Sequence, residues 1–208
     1  MLASVQKDRA ALVFIEFQRE WLADDGILKR RLIQDKAAFE NAVARAGEVL
    51  AAARASNWTI AHAGLDLTHD PDYLLFGKGR GVLGLRQGIP AAGTWTGAGA
   101  AFVEPFVPRP GEFIVKGRSG ASVLLNSTLD PFLRNNGINT IFIMGFATHV
   151  CVESTLRNAH DLGYNAFVVE DACAAFEQSQ HEYVRRHVIH HFGEETNAAA
   201  LIDHMRGS

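Results

Sequence analysis

Short apolar runs alternate along this chain with stretches of helical period. Ala10–Ile15, Trp58–Ala63, Glu112–Val115, Thr140–Met144 and Ala166–Val169 are compact blocks, too short for core helices, and they predict buried strands. Between them, Phe39, Val43, Ala46, Val49, Leu50 and Ala53 recur at three and four residues and predict a helix, with Gly47 its weak point. Val123, Leu124, Leu129, Phe132 and Leu133 predict a second helical region, with Pro131 at its start or at a kink. Val152, Leu156, Ala159 and Leu162 predict a third, closed by Gly163, and Tyr183, Val184, His187, Val188 and His191 a fourth. Strands alternating with helices imply a three-layer α/β/α fold around a doubly wound, mainly parallel sheet. Residues 66–110 break the alternation. They are rich in Gly, hold most of the Pro residues and show little period, which predicts a long excursion over the active edge, either a lid or a subunit contact.

With 208 residues, 48% of them hydrophobic and 21% charged, the chain fits one soluble domain, residues 1–208, with a substantial core. Its net charge of −3 and scattered histidines give no basic face for nucleic acid and no polybasic membrane patch. The first apolar run is too short for a signal sequence, and no stretch is long enough to span a bilayer. Two cysteines in a chain of this length make no disulfide scaffold, so a reduced, cytoplasmic setting is expected.

Three ionisable residues follow predicted strands. Glu16 ends the first run and Lys116 the third. Cys151 lies in Gly145-Phe146-Ala147-Thr148-His149-Val150-Cys151, between the fourth run and a helix expected to begin near Val152. A doubly wound sheet gathers its ligand site at the carboxyl ends of its strands, so the three are expected in one crevice. Singly, each has a plainer reading: a small buried hydrophobe for the thiol, a first solvated residue for Glu16, a snorkelling edge residue for Lys116. Together they suit nucleophilic catalysis. A helix N-terminus and a nearby ammonium favour thiolate, the free N–H groups of the turn can hold an oxyanion, and a carboxylate can take and return a proton. Phe17, Trp21, Phe146 and His149 flank the turn or Glu16 and are candidate pocket residues, and Arg118 is a candidate for binding a substrate carboxylate. Cys173 has no charged neighbours of this kind and reads as structural.

Four segments carry a resemblance to a known family: Ala11–Gln18; Arg109–Glu112 running on to Lys116-Gly117-Arg118; Gly145–Val152; and Gly163-Tyr164 through Val168-Val169-Glu170-Asp171-Ala172. Together they resemble the isochorismatase-like cysteine hydrolases over most of the chain. The resemblance implies that family's nucleophile at Cys151 and its lysine at Lys116. The family's usual Asp is here Glu16, one methylene longer. It further implies a cis peptide at Phe146–Ala147, an oxyanion hole from the Ala147 and Cys151 amides, no cofactor, and a homo-oligomer, dimer or tetramer, around a small-molecule substrate. Metal-binding relatives carry a close Asp-x-His pattern after the second strand. The corresponding stretch, His62 to Asp70, has the residue types without that pattern, so no metal is expected.

The expected function is cysteine-dependent hydrolysis of a C–N bond in a small amide or ureide through an acyl-enzyme. Two alternatives stay open: an isochorismatase-type vinyl-ether hydrolase, which needs an acid and no thiol, and a non-catalytic binding or regulatory protein on the same fold, which the change to Glu16 would suit.

Overall fold

The computed structural model describes residues 2–81 and 83–207. Each apolar run forms a strand: β1 (Ala10–Ile15), β2 (Thr59–Ala63), β3 (Phe113–Val115), β4 (Thr140–Phe146) and β5 (Asn165–Ala174); β6 (Glu194–Thr196) adds an edge. The sheet runs β3-β2-β1-β4-β5-β6 with every neighbouring pair parallel. β1 and β4 are buried at every position, which is why their sequences are unbroken apolar blocks. β6 was not foreseen, because Glu194-Glu195-Thr196 carries no apolar signal and a three-residue edge strand needs none.

Nine helices flank the sheet among the described residues: α1 (Arg19–Leu22), α2 (Ile27–Leu32), α3 (Lys36–Ala55), α4 (Leu85–Ala92), α5 (Leu129–Asn135), α6 (Glu153–Asp161), α7 (Gln178–His187), α8 (Ile189–Phe192) and α9 (Ala198–Arg206). In α3 the periodic residues Phe39, Ala46, Val49, Leu50 and Ala53 turn inward, and the Asp35 side chain caps the start by accepting the Ala38 amide. Pro131 falls in the first turn of α5, where a missing N–H costs nothing. Gly163, at φ +85°, follows α6 as expected of a C-terminal stop. The predicted fourth helix is broken at Val188 into α7 and α8. Among the described residues no helix is long and apolar enough to cross a membrane.

The chain leaves β1 for β2 and β3 on one side, then returns to place β4 on the other. The strand order therefore reverses between β1 and β4, and the crevice beyond their carboxyl ends is where such a sheet holds its ligand. Gly145 lets these two strands meet: at φ +125° it lies so close to β1 that a Cβ would drive into the Ile15 carbonyl oxygen.

The 66–110 excursion, described except at Val82, carries a kinked 3₁₀ turn at Leu74–Gly79, then α4, then a second 3₁₀ turn at Gly97–Ala100. It is tied to the chain just past β1. The Gln18 amide donates to the Leu65 and Ala100 carbonyls and accepts from the Leu65 amide and the Trp95 indole, and Glu20 accepts the Trp95 amide at 3.2 Å. The segment's return is clamped by Glu112, whose carboxylate takes two bonds from Arg54, one from the Arg109 amide and one shared with His62 at 2.8 Å. Burial acts to raise the Glu112 pKa, but Arg54, then the Arg109 amide and His62, outweigh it and hold the carboxyl down at about 2. A depressed folded pKa stabilises the protein above the unfolded carboxyl pKa, and that stability is lost as pH falls through the folded value. Glu112→Gln is therefore expected to lower unfolding free energy by about 3 kcal/mol near neutral pH. The difference from wild type should shrink between about pH 4.5 and 2, as read by urea melts at each pH.

Candidate active site

Glu16 is the first residue past β1. Its backbone sits at φ +62°, a conformation that a non-glycine residue adopts at some cost and that recurs at functional sites. Its amide donates to the Ala63 carbonyl of β2 and its carbonyl accepts the Gln18 amide, which fixes the turn. The side chain is 1% exposed, with Oε2 accepting the Trp21 indole N–H at 2.7 Å. Oε1 faces two groups: the Cys151 thiol donates to it at 3.2 Å, and Arg118 Nη1 lies 2.5 Å away. Arg118 Nη2 is in turn 3.0 Å from Cys151 Sγ. Arg118 is aimed by its own loop, donating to the Gly120 and Ala121 carbonyls. A carboxylate, a guanidinium and a thiol thus form a closed triangle of contacts, all three buried.

Cys151 lies within a five-residue π turn, Thr148–Val152, that runs into α6; the Ala147 carbonyl accepts both the Val150 and Val152 amides. Such turns are rare and cluster at functional sites. Behind it, Thr148 Oγ1 pairs with His181 Nδ1 at 2.9 Å, and the preceding Phe146–Ala147 peptide is cis.

The electrostatics differ from the expected preformed thiolate. Burial first, and the Glu16 carboxylate next, push the Cys151 thiol up to about 12 against the pull of Arg118. Burial works against the charge on Arg118, but Glu16 and then the sulfur outweigh it, so the guanidinium's pKa rises. The site thus sets the Arg118 guanidinium against the Glu16 carboxyl group, beside an S–H that already points at its acceptor. Sulfur can gain its nucleophilic charge there as the proton moves to Glu16 Oε1, with the guanidinium beside both.

A cavity of about 420 Å³ opens onto this triangle. Its wall is mostly apolar, with Trp21, Leu28 and Phe176 on one side and Phe76, Ile89 and Trp95 from the excursion. The size is at the small end of ligand pockets, suited to a small molecule.

The chain matches the Isochorismatase domain over residues 10–200. It belongs to the isochorismatase family. Ureidoacrylate amidohydrolase RutB of Azorhizobium caulinodans is 30% identical over 203 residues, covering 90% of this chain and 84% of that protein. The enzyme of the same name from Methylorubrum extorquens is 31% identical over 179 residues, 79% of this chain and 69% of that protein. Among solved structures, a cysteine hydrolase from Pseudomonas syringae pv. phaseolicola superposes with a TM-score of 0.81 at 21% identity, covering 98% of this chain and 95% of that one. N-carbamoylsarcosine amidase from Thermoplasma acidophilum superposes at 0.66, also at 21% identity, over 91% and 96%. The protein is an isochorismatase-family hydrolase.

Against that family's pattern, the expected lysine is displaced. Lys116 is exposed, its backbone bonded in both directions to Thr128 and its charge felt by Asp66, and it contacts neither Glu16 nor Cys151. The reason is topological. β3 is the edge strand, two strands from β1, so a residue at its end starts about 10 Å away from Glu16. Arg118, two residues further on, is carried back over the sheet and fills the cationic position. The longer Glu16 meets it and still reaches the sulfur.

Of the pocket candidates, Trp21 and Arg118 line the cavity, though each also holds Glu16. Phe17 and Phe146 do not line it. Both are fully buried and stack in a cluster with Phe106, Phe39 and each other, as large aromatics at the end of a core strand are driven to do. His149 is half-buried and edge-on to Phe176, one layer behind the wall, with burial lowering its pKa. Ala147 lines the cavity beside Cys151. Sequence reasoning missed Thr94, Trp95, Arg31 and Arg86, which also line it. They belong to short helices and an aperiodic segment that carry no motif.

Proposed function

We propose that this hydrolase is a cysteine-dependent amidohydrolase acting on a small amide or ureide. One observation carries the reading: Cys151 Sγ lies 3.2 Å from Glu16 Oε1 and 3.0 Å from Arg118 Nη2, and Arg118 Nη1 pairs with the same carboxylate oxygen, at the floor of a largely apolar cavity. The similarity to ureidoacrylate amidohydrolases agrees with it. Sulfur attacks the carbonyl carbon as its proton passes to Glu16, and the Ala147 and Cys151 amides receive the oxyanion. Collapse of the tetrahedral adduct breaks the C–N bond, with Glu16 returning the proton to the departing amine. Water, deprotonated by Glu16, then attacks the thioester and releases the acid and the free thiol.

Ammonia release from a panel of small primary amides and ureides tests the reading. Turnover of at least one is expected; hydrolysis of isochorismate with no turnover across the panel would replace it with vinyl-ether chemistry. Glu16→Gln is expected to lower kcat about 100-fold at pH 7. It also removes one of the two influences that raise the thiol pKa, so the residual rate should climb with pH as thiolate forms. A pH–rate profile of that variant checks both effects.

A further inference from the structure

The cavity's ionisable lining is unbalanced. Glu16 and Arg118 at its floor neutralise each other, but two further guanidinium groups, Arg31 of α2 and Arg86 of α4, line the same cavity and no other acid does. Both are exposed, which places them at the mouth, and neither makes an ion pair or side-chain hydrogen bond among the described residues. Neighbouring cations do have partners: Arg19 pairs with Asp25 and Lys29 with Asp24. The rest of the wall is apolar apart from two hydroxyls, Ser119, whose Oγ accepts from the Asn126 amide, and Thr94. Thr94 lines the cavity, is 0% exposed, and its Oγ1 has no hydrogen-bond partner. A buried hydroxyl left unpaired is costly unless a ligand completes it.

Resting on the amidohydrolase reading, we propose that the substrate is a carboxylate-bearing amide or ureide, its scissile group at Cys151 and its acid end held by Arg31 and Arg86, with Thr94 bonding a polar atom between. Two guanidinium forks at a cavity mouth suit a carboxylate, which takes paired N–H donors. The apolar wall suits a short hydrocarbon spacer. The two arginines come from different segments, α2 beside the β1 loop and α4 in the excursion, so the substrate's acid would draw the excursion against the body of the protein.

The test uses ω-ureidoalkanoates with two to five methylenes, each paired with the n-alkylurea in which methyl replaces the carboxylate. Wild type, Arg31→Ala and Arg86→Ala are assayed by ammonia release, and binding to Cys151→Ala is followed by calorimetry with and without the arginine changes. Wild type is expected to favour at least one acid over its alkylurea by tenfold or more in kcat/KM, and each arginine variant to cut that ratio about tenfold, mainly through KM. Thr94→Val should weaken acid and alkylurea alike. Acids bound but not cleaved, with binding lost on removing either arginine, would sink the amidohydrolase reading and keep the anion site. Equal handling of acid and alkylurea by wild type, or a preference untouched in both arginine variants, overturns the anion site.

Discussion

Cys151→Ala is expected to abolish turnover, with kcat lowered at least about 10⁴-fold while the fold and ligand binding persist. The side chain is small and buried, and its loss removes the S–H···O contact to Glu16 and the Arg118 N–H···S contact from a site otherwise held by Trp21, the Arg118–Glu16 pair and the Gly120 and Ala121 carbonyls. Removing a covalent nucleophile costs more than removing any group that assists it, because no alternative atom stands in line with the carbonyl. The other thiol offers no substitute. Cys173 is buried in β5, within 3.9 Å of the Ile143 carbonyl, and burial raises its pKa. Steady-state ammonia release, with calorimetry of a bound acid as the folding control, checks the result. Cys173→Ala should keep full activity.

Arg118→Met should lower kcat by about 10²- to 10³-fold, while Lys116→Ala stays within about twofold of wild type. Arg118 touches both reacting partners and Lys116 touches neither. Loss of the guanidinium also leaves the Glu16 carboxylate buried without its counter-charge, a defect worth about 3–5 kcal/mol of stability. The double variant Glu16→Gln/Arg118→Met separates the two effects. It removes both charges together, so stability should largely return while activity stays lost. Urea melts and kinetics on the single and double variants read the two separately. Equal collapse in Lys116→Ala would restore the lysine to the site.

The strands of the sheet were legible because β1 and β4 are buried on both faces, which forces unbroken apolar runs into the sequence. Cys151 was legible for a related reason. A thiol just past such a run, in a Gly-containing turn before a helix, falls at the switch point wherever the strand sits centrally. Lys116 shows where this reasoning fails. Its run looks like the others, but period alone does not say that β3 is the outermost strand, and a residue at the end of an edge strand lies far from the crevice. Arg118 reaches the site through the path of the loop 116–121, set by the Gly120 and Ala121 carbonyls, and no local pattern encodes that path. The same limit hid the cavity's far wall. Thr94 and Trp95 are placed by tertiary bonds to Tyr73, Gln18 and Glu20, all from segments distant in the chain. Phe17 and Phe146 were misread because an aromatic beside a catalytic residue is placed first by core packing.

The central claim is that sulfur becomes bonded to the substrate's carbonyl carbon during turnover. Rapid acid quench of the working enzyme with its best amide or ureide, followed by intact-mass measurement and peptide mapping, tests it most directly. The account predicts a protein heavier by the acyl or carbamoyl group, with the added mass on the Cys151 peptide and absent from Cys151→Ala. Unmodified protein at every quench time, together with continued turnover by Cys151→Ala, would contradict it.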